Sequence, residues 1–254
     1  MARYIYCLLI GIFTTSALLG IQFWPTWTGF LVVLGTVLTL LGLILWLVGK
    51  NQGADWLSAL SIIATVLAGV VVMSVNEVRV LRALLPFGVG FAATMVAFWF
   101  FFRPALLPHV HKRFRRAFTF FMAFVVYALF VATFAGLLFF PLPYTWVLVN
   151  LFASLIAAGA SILVWRQYES LAADKIWLWL GVGALCWFEL LTIFQQLPIG
   201  FLISAFLLAW LWYVYTLFLR FHFSSLGIVW KKQIGFMIAN TILFIIILFS
   251  SRFI

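Results

Sequence analysis

Apolar residues come in runs of about twenty along this chain, and the short connections between runs hold nearly all the charge. A run such as 29–48 is apolar on every side. It shows neither the two-residue alternation of a barrel strand nor the one-sided stripe of a soluble helix. About twenty residues at 1.5 Å per residue cross ~30 Å of hydrocarbon, and a helix satisfies its backbone while doing so. The pattern therefore predicts an all-α, polytopic membrane bundle of nine spans in one transmembrane domain, 1–254. The spans fall at 4–23, 28–48, 55–76, 83–103, 117–140, 145–165, 176–196, 199–220 and 233–251.

Composition sharpens this. Of the 254 residues 67% are hydrophobic and 8% charged, against the quarter or so that a soluble surface needs. The net charge of +10 does not point to nucleic acid, because the cations sit in short connections rather than on a soluble basic domain. Cys7 and Cys186 both fall inside predicted spans, which leaves no disulfide framework and no CxxC metal site. The first run lacks a clean small-x-small cleavage site and is read as a membrane helix, not a removed signal.

Charge in the connections predicts orientation. With the N-terminus in the cytoplasm, inner segments hold Arg3, Lys50, Arg103, Lys112, Arg113, Arg115, Arg116, Arg166, Lys175, Arg220, Lys231 and Lys232. Outer segments hold only Arg79, Arg82 and Arg252, which places the C-terminus outside. Tryptophans agree: Trp24, Trp27 and Trp146 fall at outer ends, most others at inner ends, and only Trp187 deep within a span.

The chain also echoes itself. Residues 85–100 align without gaps on 197–212, and at the same offset Glu77 falls on Glu189, so both stretches read E-x7-L-P-[FI]-G. Gly20, Phe23 and Pro25 correspond similarly to Gly136, Phe139 and Pro141. Apolar spans match cheaply, but proline and glutamate are scarce here. The expectation is a parallel 4+4 duplication, 1–112 and 113–228, with an extra helix at 229–254.

Few residues could carry chemistry. Glu189 lies inside the seventh span, where an ionisable group is costly and marks either a functional site or a buried packing contact. If functional, it is expected to face the interior or a cavity, with Arg79, Arg82 or Asn150 in reach. Glu77, near Arg79 and Arg82, fits an interfacial ion pair as well as a site. Asn150, Gln195 and Gln196 occupy the same outer third, and amides there usually fix packing.

The segment 103–116, RPALLPHVHKRFRR, sets Arg103, Lys112, Arg113, Arg115 and Arg116 on the cytoplasmic side. It reads as a topology signal or as a binder of anionic lipid headgroups. His109 and His111 could share a face only in an extended backbone, and no metal or cofactor is implied. HExxH, Walker A and GxSxG motifs are absent, which turns the reading away from an enzyme.

Residues 189–201, ELLTIFQQLPIGF, and the aromatic run from Trp210 to Arg220 resemble a family of multi-pass bacterial membrane proteins of unknown function. The resemblance implies a bacterial cytoplasmic membrane and no particular activity. Three function classes remain open. One is a non-catalytic membrane scaffold or assembly protein with a membrane-protein partner. The others are a carrier of small solutes or lipid that uses Glu189, and an enzyme acting on a lipid.

Overall fold

In the computed structural model the described residues are 2–23, 56–75, 79–102, 108–139, 145–168, 173–223 and 230–250, with Leu31, Gly35, Leu38, Thr39 and Gly42. Eight helices occur among them. They are α1 (Ala2–Phe23), α2 (Trp56–Val75), α3 (Arg79–Phe102), α4 (Pro108–Phe139), α5 (Thr145–Trp165), α6 (Ala173–Gln196), α7 (Phe201–Phe223) and α8 (Trp230–Ser250). Six contain a stretch long and apolar enough to cross a bilayer: α1, α4, α5, α6, α7 and α8. The apolar parts of α2 and α3, Ser61–Val75 and Ala83–Trp99, are shorter.

The span expected at 28–48 lies almost wholly outside the described residues. The five exceptions have helical backbone, and Thr39 donates to the Gly35 carbonyl at 2.8 Å, one turn back. Elsewhere the expected spans match helices within a few residues, except that α4 starts nine residues before 117. Pro108 explains this, since its fixed φ suits a first helical position and its missing N–H costs nothing there. The backbone at His109 and His111 is helical, not extended.

The chain divides into two compact units, Met1–Val125 and Val126–Ile254. In the first, α3 packs closely on α1 and also on α2. The α1–α3 contact is built on matched G-x3-T pairs, Gly11 with Thr15 and Gly90 with Thr94. A Cβ on Gly11 would overlap the Thr94 hydroxyl, and one on Gly90 would overlap the Thr15 hydroxyl. Each would also stand about 3 Å from the opposing glycine carbonyl, at 3.0 Å and 2.9 Å respectively. Lipid tails offer little hydrophobic drive for helix association, so close backbone approach through small residues supplies it.

On the α2 side, Val89 presses into the place of a side chain at Gly69, and Leu18, Val70 and Met73 close the core around it. Near the basic end of this unit, Phe114 of α4 stacks on Trp99 of α3 at 5.6 Å and on Phe98 at 5.7 Å.

In the second unit α5 supplies the small residues. Its buried stripe runs Asn150, Ala153, Ser154, Ala157, Ala158 and Ser161, and α6 lies close along it. Gly183 of α6 approaches so near that an added Cβ would sit 3.3 Å from Ala158 Cβ. Two indoles bind α5 to α7 reciprocally. Trp165 Nε1 donates to the Thr216 carbonyl at 3.0 Å, and Trp212 Nε1 donates to the Ala157 carbonyl at 2.9 Å. The hydroxyls of Ser161 and Thr216 meet between them at 3.2 Å. Phe130, Trp187 and Tyr215 continue the aromatic core, the last two edge to face at 5.4 Å.

The last helix differs. Most of α8 is exposed, and a polar contact ties it to α7, with Trp210 Nε1 donating to Asn240 Oδ1 at 3.0 Å.

The two proline segments that matched in sequence fold differently. Pro86 lies inside α3, seven residues past its first residue, and leaves the Arg82 carbonyl without its usual helical donor. Pro198 instead lies in the break between α6 and α7. There the Ile199 N–H donates to Leu197 O at 2.8 Å, and Gly200 O accepts from the N–H groups of Ile203 and Ser204 at 3.0 Å each.

Candidate functional site

The residues singled out by sequence separate in the structure. Glu189 is exposed on α6, on a face shared with Val182, Leu185, Cys186 and Ile193. These positions recur every three or four residues, so they form one continuous stripe on the helix. Glu189 interrupts an otherwise apolar surface seven residues, about 10 Å of helix, from the end of its span. Asn150, on α5, is fully buried against another side of α6.

Asn150 makes the best-formed side-chain pair of the unit. Its Nδ2 donates to Gln195 Oε1 at 3.2 Å, and Gln195 Nε2 donates back to Asn150 Oδ1 at 2.7 Å. The Thr192 hydroxyl stands 3.5 Å from the same Nδ2 and itself donates to Phe188 O. Two carboxamides can exchange both bonds only if they lie nearly coplanar, edge to edge, so this pair fixes the rotation of α6 against α5. Of the two neighbouring glutamines, Gln195 points inward and Gln196 is exposed; their adjacency in sequence could not say which.

Beside this pair, at the end of the unit that carries the Pro198 turn, lies an open cleft of about 760 Å³. Phe134, Leu137 and Leu138 of α4, Trp146 of α5, Phe194 and Gln195 of α6, and Phe201 and Ser204 of α7 line it. Its walls are chiefly aromatic and aliphatic, and its polar groups are few. Neither the cleft nor Ser204 was foreseen from sequence. Ser204 is one small residue in an apolar span, and only the break at Pro198 brings α7 round to close the cleft.

The basic segment becomes the first turns of α4. Lys112, Arg113 and Arg116 are exposed there and Arg115 is half-buried. Arg79 and Arg82 lie in the first turn of α3, their backbone alone described, and Glu77 and Arg103 fall outside the described residues. Among the described residues no three His, Cys, Asp or Glu side chains gather where a metal could be held. Compared with known protein families, curated proteins and solved structures, the chain matches none.

Proposed function

We propose that this protein is a non-catalytic membrane scaffold that presents the Glu189 face of α6 to a helix of a neighbouring membrane protein. The exposure of Glu189 carries the reading. A carboxyl group on a lipid-facing surface is costly, by roughly 2.5–3.5 kcal/mol for an acidic residue at a helix centre. A partner helix that brings a basic or hydrogen-bonding side chain to the stripe at 182, 185, 186, 189 and 193 offsets that cost. A carrier that used this carboxyl would need it in a cavity, and Glu189 does not line the cleft of the second unit.

The same reading gives the full chain nine spans, with 28–48 as the second, the N-terminus on the cytoplasmic side and the C-terminus outside. The charge asymmetry of the connections supports it. The basic start of α4 then lies against anionic headgroups, each cation contributing about 1 kcal/mol near such a surface. Under a duplication of 1–112 and 113–228, supported by the paired E-x7-L-P-x-G segments, the two copies have diverged at the proline.

The test is the state of the protein in its native membrane. Mild extraction and native electrophoresis should show a complex of defined size that Glu189→Leu dissolves and Glu189→Gln weakens. Phe152→Ala, on the exposed face of α5, should leave it intact. If wild type and Glu189→Leu migrate alike, the scaffold reading is wrong.

A further inference from the structure

The cleft at the Pro198 end of the second unit has a polar feature that packing does not account for. Ser and Thr hydroxyls inside helices of this protein regularly donate to the carbonyl one turn back. Thr14, Thr65, Ser74, Thr94, Thr133, Ser161 and Thr192 all do so, at 2.7–3.2 Å. Ser204 does not. The carbonyl it would use belongs to Gly200 and already accepts two backbone N–H groups. Ser204 is only 2% exposed, yet it lines the cleft, and its hydroxyl has no partner among the described residues. A donor on a cleft wall that no protein group engages is left for an acceptor that enters the cleft.

Gln195 adds a second donor. One hydrogen of its Nε2 goes to Asn150 Oδ1, and its Oε1 accepts from Asn150 Nδ2. The other amide hydrogen has no partner among the described residues, and Gln195 too lines the cleft. The position facing Gly200 is open, with nothing within 4 Å of where a Cβ would stand.

These features define the chemistry of an occupant. The volume, about 760 Å³, falls within the range of small-molecule sites, ~300–1,000 Å³, and the walls are apolar. Two neutral donors and no Lys, Arg or His among the lining residues select a neutral acceptor over an anion. A solute without an apolar body would leave Phe134, Phe194 and Phe201 uncovered. We propose that the cleft is a specific site for one acyl chain of a glycerolipid, its ester carbonyl accepting hydrogen bonds from Ser204 Oγ and Gln195 Nε2. The site is separate from the Glu189 face and stands or falls independently of it.

The test uses the full-length protein in bilayer nanodiscs doped with a phosphatidylethanolamine that carries a photoreactive diazirine in one ester-linked acyl chain. Labelled peptides are mapped by mass spectrometry. Labelling should saturate and concentrate on residues 134–138, 145, 146 and 194–204. An unlabelled diester lipid should compete about thirtyfold better than its diether analogue, the factor expected for loss of two neutral hydrogen bonds of about 1 kcal/mol each. Gly200→Leu, which fills the cleft, should reduce the labelling at least tenfold. Ser204→Ala should leave the fold intact and cut the preference of ester over ether to about fivefold, the share that Gln195 Nε2 still supplies.

Three outcomes would overturn the proposal. Labelling could follow surface exposure, as heavy on α8 as in the cleft, which is bulk lipid only. Diester and diether lipids could compete equally. The cleft residues could instead crosslink to another segment of this chain when a diazirine is placed at position 201, which would make the occupant the protein itself.

Discussion

Adding one methyl group at Gly11 tests the packing of the first unit most directly. In Gly11→Ala the new Cβ overlaps the Thr94 hydroxyl, and it also stands 3.0 Å from Gly90 O and 3.2 Å from Thr94 Cβ. Rotating Thr94 away relieves only the first contact and breaks its 2.9 Å bond to Gly90 O. The backbone of α3 must then retreat from α1, loosening contacts along the whole helix pair. Overpacking of a close-packed site costs about 1–3 kcal/mol, and the upper half of that range applies because one obstacle is backbone.

Thr94→Ala removes the hydroxyl but leaves the Cβ and the carbonyl, so the double variant should recover part of the loss, about 1 kcal/mol, and not all of it. The mirror pair, Gly90→Ala with Thr15→Ala, should behave alike. Reversible unfolding in mixed micelles titrated with SDS, followed by circular dichroism, measures all four corners of each cycle. A Gly11→Ala variant as stable as wild type, or strictly additive effects with Thr94→Ala, would show that α1 and α3 do not approach through these glycines.

In the second unit, a cycle between Asn150→Leu and Gln195→Leu should give a coupling energy of about 0.6–1.7 kcal/mol, the span measured for hydrogen bonds between membrane helices, and Gln196→Leu should show none with Asn150→Leu. Trp212→Phe strips the donor from the Ala157 carbonyl and deletes one ring of a fully buried indole, so it should lower stability by more than the about 1 kcal/mol of the hydrogen bond alone in the same titration. For topology, single cysteines in a background lacking Cys7 and Cys186 should react with an impermeant maleimide from outside when placed at Pro25, Pro143 or Pro198. Those at Lys112 or Lys231 should react only after lysis, and labelling of Lys112 from outside would reverse the orientation.

Much of this protein is written in its composition because a bilayer tolerates few structures. A backbone in hydrocarbon must satisfy itself locally, so an apolar run of about twenty residues is already a helix, whatever it packs against. That is why 145–165 was delimited from sequence to the residue and most other spans to within three. The one large error, the start of α4, came from reading cations as the end of a span, although a helix continues past the membrane wherever a proline allows its first turn.

What hydropathy could not decide was which side of each helix meets another helix and which meets lipid, since both sides are apolar. Sequence alone sets Glu189 and Asn150 in the same outer third of the bundle, within reach of one site. The rotation of α6, set by the Asn150–Gln195 pair and by the approach of Gly183 to Ala158, buries one and turns the other outward. The matched prolines likewise promised equivalent turns, but one sits within a helix and the other ends one. Side-chain pairing and backbone approach between helices distant in sequence set those outcomes, and no periodicity along a single helix records them.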